Sequence, residues 1–97
     1  MDVVWSRGAM RQLQEIGAYI AQDSRDAGEQ VVDRIYAAGG LLGTQPGLGE
    51  ATDVANVRSW KIPSLPYRLF YRVRARAGRV TVLRVVHGRQ LRALPLK

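Results

Sequence analysis

Residues 56–87, NVRSWKIPSLPYRLFYRVRARAGRVTVLRVVH, decide the fold. Apolar and polar positions alternate through them, Val, Tyr, Trp and Leu are frequent, and turn-forming residues interrupt twice. Three strands follow, at 56–62, 67–74 and 79–87. Pro63-Ser64-Leu65-Pro66 links the first two, and Ala75-Arg76-Ala77-Gly78 makes a tight turn between the second and third. In the 67–74 strand, alternation sends Tyr67, Leu69, Tyr71 and Val73 to a core face and Arg68, Phe70, Arg72 and Arg74 to the other. The 79–87 strand is apolar on both faces, with Val80, Val82 and Val86 on one and Leu83 and Val85 on the other. Such a strand belongs near the middle of a sheet.

Upstream the period changes to that of a helix. Ser6 is placed to cap a helix over 7–22, whose apolar stripe is Ala9, Leu13, Ile16 and Ile20. Asp23-Ser24-Arg25 breaks the pattern. Asp26 and Glu29 then have the spacing of a capping box, and Ala27, Val31, Ile35, Ala38 and Leu42 carry a second helix to Gly43, read as a left-handed stop. Gly39-Gly40 are expected to fray its last turn. Residues 44–55 form a loop around Pro46-Gly47 and Gly49, and Asp2–Trp5 is a candidate edge strand. The fold class is α+β. An N-terminal two-helix antiparallel hairpin packs on a mainly antiparallel sheet of three to four strands, all in one domain spanning 1–97.

The charge is divided as sharply as the period. Residues 1–53 hold all eight carboxylates against four arginines, a formal −4, and 54–97 hold nine arginines and two lysines, a formal +11. A basic sheet without internal carboxylates finds its counter-ions on another molecule, either phosphates or acidic side chains. The alternative is a solvated basic surface. The 46% hydrophobic content argues for a folded chain rather than a basic tail. There is no cysteine, which excludes disulfides and thiolate chemistry and suits the cytoplasm. No signal peptide or membrane-spanning stretch is evident.

Few chemistries are open. One histidine and no cysteine cannot make the usual zinc sets, so neither a metal nor another cofactor is expected. Gly47-Leu48-Gly49-Glu50-Ala51-Thr52 lacks the third glycine of a dinucleotide fingerprint, and neither a P-loop nor a nucleophile elbow occurs. Arg68, Arg72 and Arg74 around Phe70 would suit phosphates, with a base stacked on the ring, or would be long solvated side chains. Arg84, among apolar neighbours, calls for a partner such as Glu15 or Asp33. His87 has the pKa range of a general acid or base, or is a structural histidine at a strand end. In a regular strand Arg84 and His87 point to opposite faces, and only a bulge or an early strand end would reunite them.

The segments WSRGAMRQLQEIGAYIAQDS, PGLG, VRSWKIPSLPYRLFYRV and VTVLRVVHGRQ, in that order, resemble the RelE/ParE superfamily of bacterial toxins, and the ParE branch in particular. Trp5 entering the first helix, Pro46 and Gly49 of a P-x-x-G loop, Arg58, Tyr67-Arg68, Tyr71-Arg72-Val73 and the closing Arg84-Val85-Val86-His87-Gly88-Arg89 carry the likeness. It implies the toxin of a type II toxin–antitoxin pair, neutralised by a cognate antitoxin whose C-terminal segment is acidic. ParE-like members are associated with DNA gyrase inhibition and blocked replication, hence plasmid stabilisation. The alternative is a RelE-like, ribosome-dependent endoribonuclease cleaving mRNA, with His87 as acid or base and Arg68, Arg84 and Arg89 holding the phosphate. The ending and the sparse lysines favour the first. Arg68, Arg72 and Arg89 are expected to bind the antitoxin, and a homodimer or a heterotetramer with it is compatible with the pattern.

Overall fold

The computed structural model describes residues 1–88. β1 (Asp2–Trp5) leads into α1 (Arg7–Ala21) and α2 (Arg25–Leu41), followed by β2 (Glu50–Ala51), β3 (Val57–Lys61), β4 (Tyr67–Arg74) and β5 (Arg79–His87). The sheet order is β1-β5-β4-β3-β2, with β1 parallel to β5 and every other pairing antiparallel. It has five strands rather than three to four. The addition is β2, which pairs Glu50 with Ser59 and Ala51 with Arg58.

The helix boundaries follow from their caps. Ser6 accepts from the Ala9 N–H at 3.0 Å, as expected. The cap of α2 is Ser24, which accepts from the Ala27 N–H at 3.2 Å, so the helix starts before Asp26, which sits in its first turn. A carboxylate there still favours the helix through its dipole. Gly43 is not a left-handed stop, because among the described residues the only glycine with positive φ is Gly78, at 63°, in the β4–β5 turn. Gly43 instead makes room for the N-terminal strand, since a Cβ on it would lie 2.5 Å from the Met1 carbonyl oxygen. Gly39 does not fray the helix; it lets α2 close onto the Trp5 ring, which stacks on Tyr36 at 5.3 Å.

The core lies between the helices and one face of the sheet. Ala9, Leu13, Ile35 and Leu42 meet Leu69, Tyr71, Val80, Val82 and Val85, all almost fully excluded from solvent. One register irregularity sets which side chains reach it. Phe70 pairs with Arg84 and Tyr71 with Val82, leaving Leu83 as an extra residue on β5. The bulge shifts the parity of everything beyond it. Val85 therefore joins Val80 and Val82 in the core, and Val86 turns to the other face, the reverse of strict alternation.

The bulge sits where β1 runs out, at the Trp5–Val82 pair, and α1 takes over the β5 edge. The Ser6 N–H donates to the Val82 carbonyl at 2.9 Å, the Ser6 hydroxyl donates to the Leu83 carbonyl at 3.2 Å, and the Val85 N–H donates to Gln12 Oε1 at 2.8 Å. Polar groups at the start of a helix thus supply the hydrogen bonds a sixth strand would have made.

Candidate functional site

On the sheet face away from the helices, the register stacks basic side chains in rows. Lys61 pairs with Arg68 and Arg68 with Val86; Ser59 pairs with Phe70 and Phe70 with Arg84; Val57 pairs with Arg72; Arg74 pairs with Arg79. Alternation puts the members of each row on one face. Beneath the cations runs an apolar strip of Val57, Phe70 and Val86, separate from the main core. Phe70 is only 3% exposed. At that exposure the ring is not open to a stacking base.

Two of these cations are tied down. Arg68 Nη1 donates to Ser59 Oγ at 2.9 Å, and Lys61 Nζ donates to the Ile62 and Leu65 carbonyls at 3.0 and 2.7 Å. Arg84 is half-buried rather than enclosed, and opens with Glu15, Arg11 and Gln12 onto a hollow between α1 and β5. That access to water removes the demand for a strict internal partner.

His87 takes the opposite face. It pairs in register with Tyr67, their rings 5.5 Å apart and edge-to-face at 85°, on the side of Leu69 and Val85. The bulge precedes Arg84, so it leaves the parity between Arg84 and His87 unchanged and does not reunite them. Of the four candidate nuclease residues, Arg68 and Arg84 occupy neighbouring rows of one face, His87 is on the other, and Arg89 lies outside the described residues. Of the three candidate antitoxin contacts, Arg68 and Arg72 share the basic face. Among the described residues no cluster of His, Asp and Glu could hold a metal ion.

A second arrangement gives the P-x-x-G loop its physical meaning. The Tyr71 hydroxyl donates to the Pro46 carbonyl at 2.7 Å and accepts from the Gly49 N–H at 2.8 Å. Arg58 Nη1 donates to the Gly49 carbonyl at 2.7 Å. A Cβ on Gly49 would lie 2.8 Å from that hydroxyl and 2.9 Å from the Ser59 carbonyl oxygen, so the close approach requires glycine. Burial pushes the Tyr71 pKa up, against the opposing effects of the Gly49 hydrogen bond and the Arg58 charge; burial alone raises that of Tyr67. Both phenols stay neutral at physiological pH and are not bases. The signal for this lock was present in the sequence, since a tyrosine on a core face needs a polar partner for its hydroxyl.

Comparison with known proteins agrees with this fold. A family model described as the ParE toxin of the type II toxin–antitoxin system matches residues 3–92. The Sinorhizobium fredii protein named "Putative toxin Y4kP" is 36% identical over 86 residues, covering 89% of this chain and 86% of that one. Among solved structures, a chromosomal ParDE system from P. aeruginosa superposes with a TM-score of 0.76 at 22% identity, covering 90% of this chain and 95% of that one. The RelBE2 toxin–antitoxin complex of Mycobacterium tuberculosis gives 0.61 at 26% identity, covering 89% and 95%. The chain belongs to the ParE toxin family of type II toxin–antitoxin systems.

Proposed function

We propose that residues 1–97 form one ParE-like toxin domain that acts in the cytoplasm by binding and inhibiting DNA gyrase, without chemistry of its own. A cognate antitoxin with an acidic C-terminal segment neutralises it, contacting the helical hairpin and the basic sheet through Arg68, Arg72 and Arg89. The observation that carries this reading is the separation of His87 from Arg68 and Arg84 on opposite faces of the sheet. Acid–base cleavage of a phosphodiester needs the proton-transfer group within hydrogen-bond reach of the reacting oxygen while cations hold the phosphate. A histidine directed to the helix side against Tyr67 does not meet that requirement. The match to the ParE family model supports the same branch.

The test is a gyrase supercoiling and cleavage-complex assay with purified toxin, beside growth arrest on induction. Inhibition of supercoiling or accumulation of cleaved gyrase–DNA complexes is expected. A chain that arrests growth and leaves gyrase untouched sinks the reading. His87→Ala keeps its toxicity under gyrase inhibition and loses it, with messenger cleavage, under the ribonuclease alternative.

A further inference from the structure

Between the β4–β5 turn and the β2–β3 segment there is a second basic feature, which meets the rows described above at Arg74 and Val57. The 46–47 loop, the 51–58 segment and the β4–β5 turn enclose a cleft of about 880 Å³. Val54, Val57 and Val73 are among its apolar lining residues, and Arg58, Arg74 and Arg76 are its cationic ones. No carboxylate is among its described lining residues, although Glu50 and Asp53 are close in sequence. Arg58 is held by the Gly49 carbonyl, so its charge is fixed in place beside the cleft, whereas Arg74 and Arg76 are exposed on the turn.

We infer that this cleft anchors an acidic segment of the antitoxin, with an apolar side chain against the valines and carboxylates on Arg74 and Arg76. The inference rests on the antitoxin reading above and adds a place to it. Charge complementarity selects the occupant. Three cations with no lining acid attract carboxylates, and guanidiniums hold them bidentately. The apolar walls select a peptide over a nucleic-acid strand, which would need aromatic platforms for its bases; the described lining contains none.

The experiment uses the whole toxin and the antitoxin encoded beside it, with the dissociation constant measured by titration calorimetry. Arg74→Glu with Arg76→Glu is compared with Arg7→Glu with Arg11→Glu, which lowers the net charge by the same amount at the α1 N-terminus. A third variant, Ala75→Trp, obstructs the cleft without changing charge. Circular dichroism checks that each variant is folded. The expected result is a loss of roughly tenfold or more for the turn pair and a clear loss for Ala75→Trp, with a smaller loss for the control pair. Equal losses for the two charge pairs, or none for Ala75→Trp, overturn the inference while leaving antitoxin binding intact. If the neighbouring protein does not bind the wild-type toxin at all, the antitoxin reading itself fails and this one with it. A single-stranded oligonucleotide that loses affinity to the turn pair while the antitoxin does not overturns it in favour of nucleic acid.

Discussion

Replacing Tyr71 with phenylalanine removes one oxygen atom from a site where it makes two hydrogen bonds. The ring is fully buried and its packing is unchanged by the substitution, so the effect is confined to polar groups. The Gly49 N–H is buried and loses its only hydrogen-bond acceptor there, which costs about 1–3 kcal/mol. The Pro46 carbonyl is partly exposed and regains water, so its share is about 1 kcal/mol or less. Together the loss is about 1–4 kcal/mol, a sizeable fraction of the roughly 5–15 kcal/mol typical of a folded chain. At roughly 4–8 °C per kcal/mol for a chain of this size, Tm falls by about 4–32 °C. Urea denaturation followed through Trp5 and Trp60 fluorescence gives the free energy, with an unchanged m-value showing that the same surface unfolds. Hydrogen exchange at the Gly49 amide should accelerate more than exchange in β5. A loss below about 0.5 kcal/mol, or an unaltered Gly49 exchange rate, would refute the claim that this hydroxyl holds the P-x-x-G loop.

Three further outcomes follow from the same structure. Gly28→Ala places a Cβ 2.7 Å from the Gly17 carbonyl oxygen, a backbone atom, so overpacking of about 1–3 kcal/mol outweighs the helix-propensity gain. Gly40→Ala meets nothing within 4 Å and should stabilise by about 0.5–1 kcal/mol; thermal melts that rank the two the other way refute the packing argument. Gln12→Ala strips the Val85 N–H of its acceptor and should cost about 1–2 kcal/mol, whereas Gln12→Glu keeps an acceptor and should cost less; equal losses in chemical denaturation would show that the contact contributes nothing. Burial raises the folded-state pKa values of Tyr67 and Tyr71 above the ordinary tyrosine value of 10.0, so their contribution is fully present below pH 10 and is lost as pH rises from there through the folded values. An alkaline titration should therefore show stability falling above about pH 10, and less steeply in Tyr71→Phe.

The elements legible in the sequence are those with enough residues to express a period. β4 and β5 have the bounds that alternation gives, and α1 ends within a residue of its expected limit. Where the reading differed, local pattern offered two answers and tertiary contacts chose. Ser24 and Asp26 both carry side-chain oxygens suited to a cap, and the chain bends at the first. β2 is two residues long, too short for any period, and lies directly after the glycine that Tyr71 and Arg58 tether. Gly39 and Gly43 look like breakers because the sequence does not reveal that Trp5 and Met1 pack beside them. The basic face itself was visible, but the burial of Phe70 was not, because alternation assigns a face and says nothing of how far a side chain on it is covered.

The bulge at Leu83 sets the faces that Arg84 and His87 take, and the sequence around it explains why it is hard to read. Leu83, Val85 and Val86 are all acceptable on a core face, so a shift of one residue costs no hydrophobic burial and leaves no trace in the pattern. What fixes it is Gln12, whose side chain meets the Val85 N–H, and Ser6, which satisfies Val82 and Leu83. These contacts determine that Val85 faces the helices and that Arg84 falls in the row of Phe70. A bulge after Arg84 would have carried His87 to the arginine-rich face and assembled an acid–base group over cations. Its position before Arg84 leaves those groups apart, with Tyr67 holding an edge-to-face contact to the histidine. Under the proposed function the arginines attract a carboxylate-bearing partner, and the separation within this four-residue stretch of β5 is what supports a toxin that binds its target over one that cuts it.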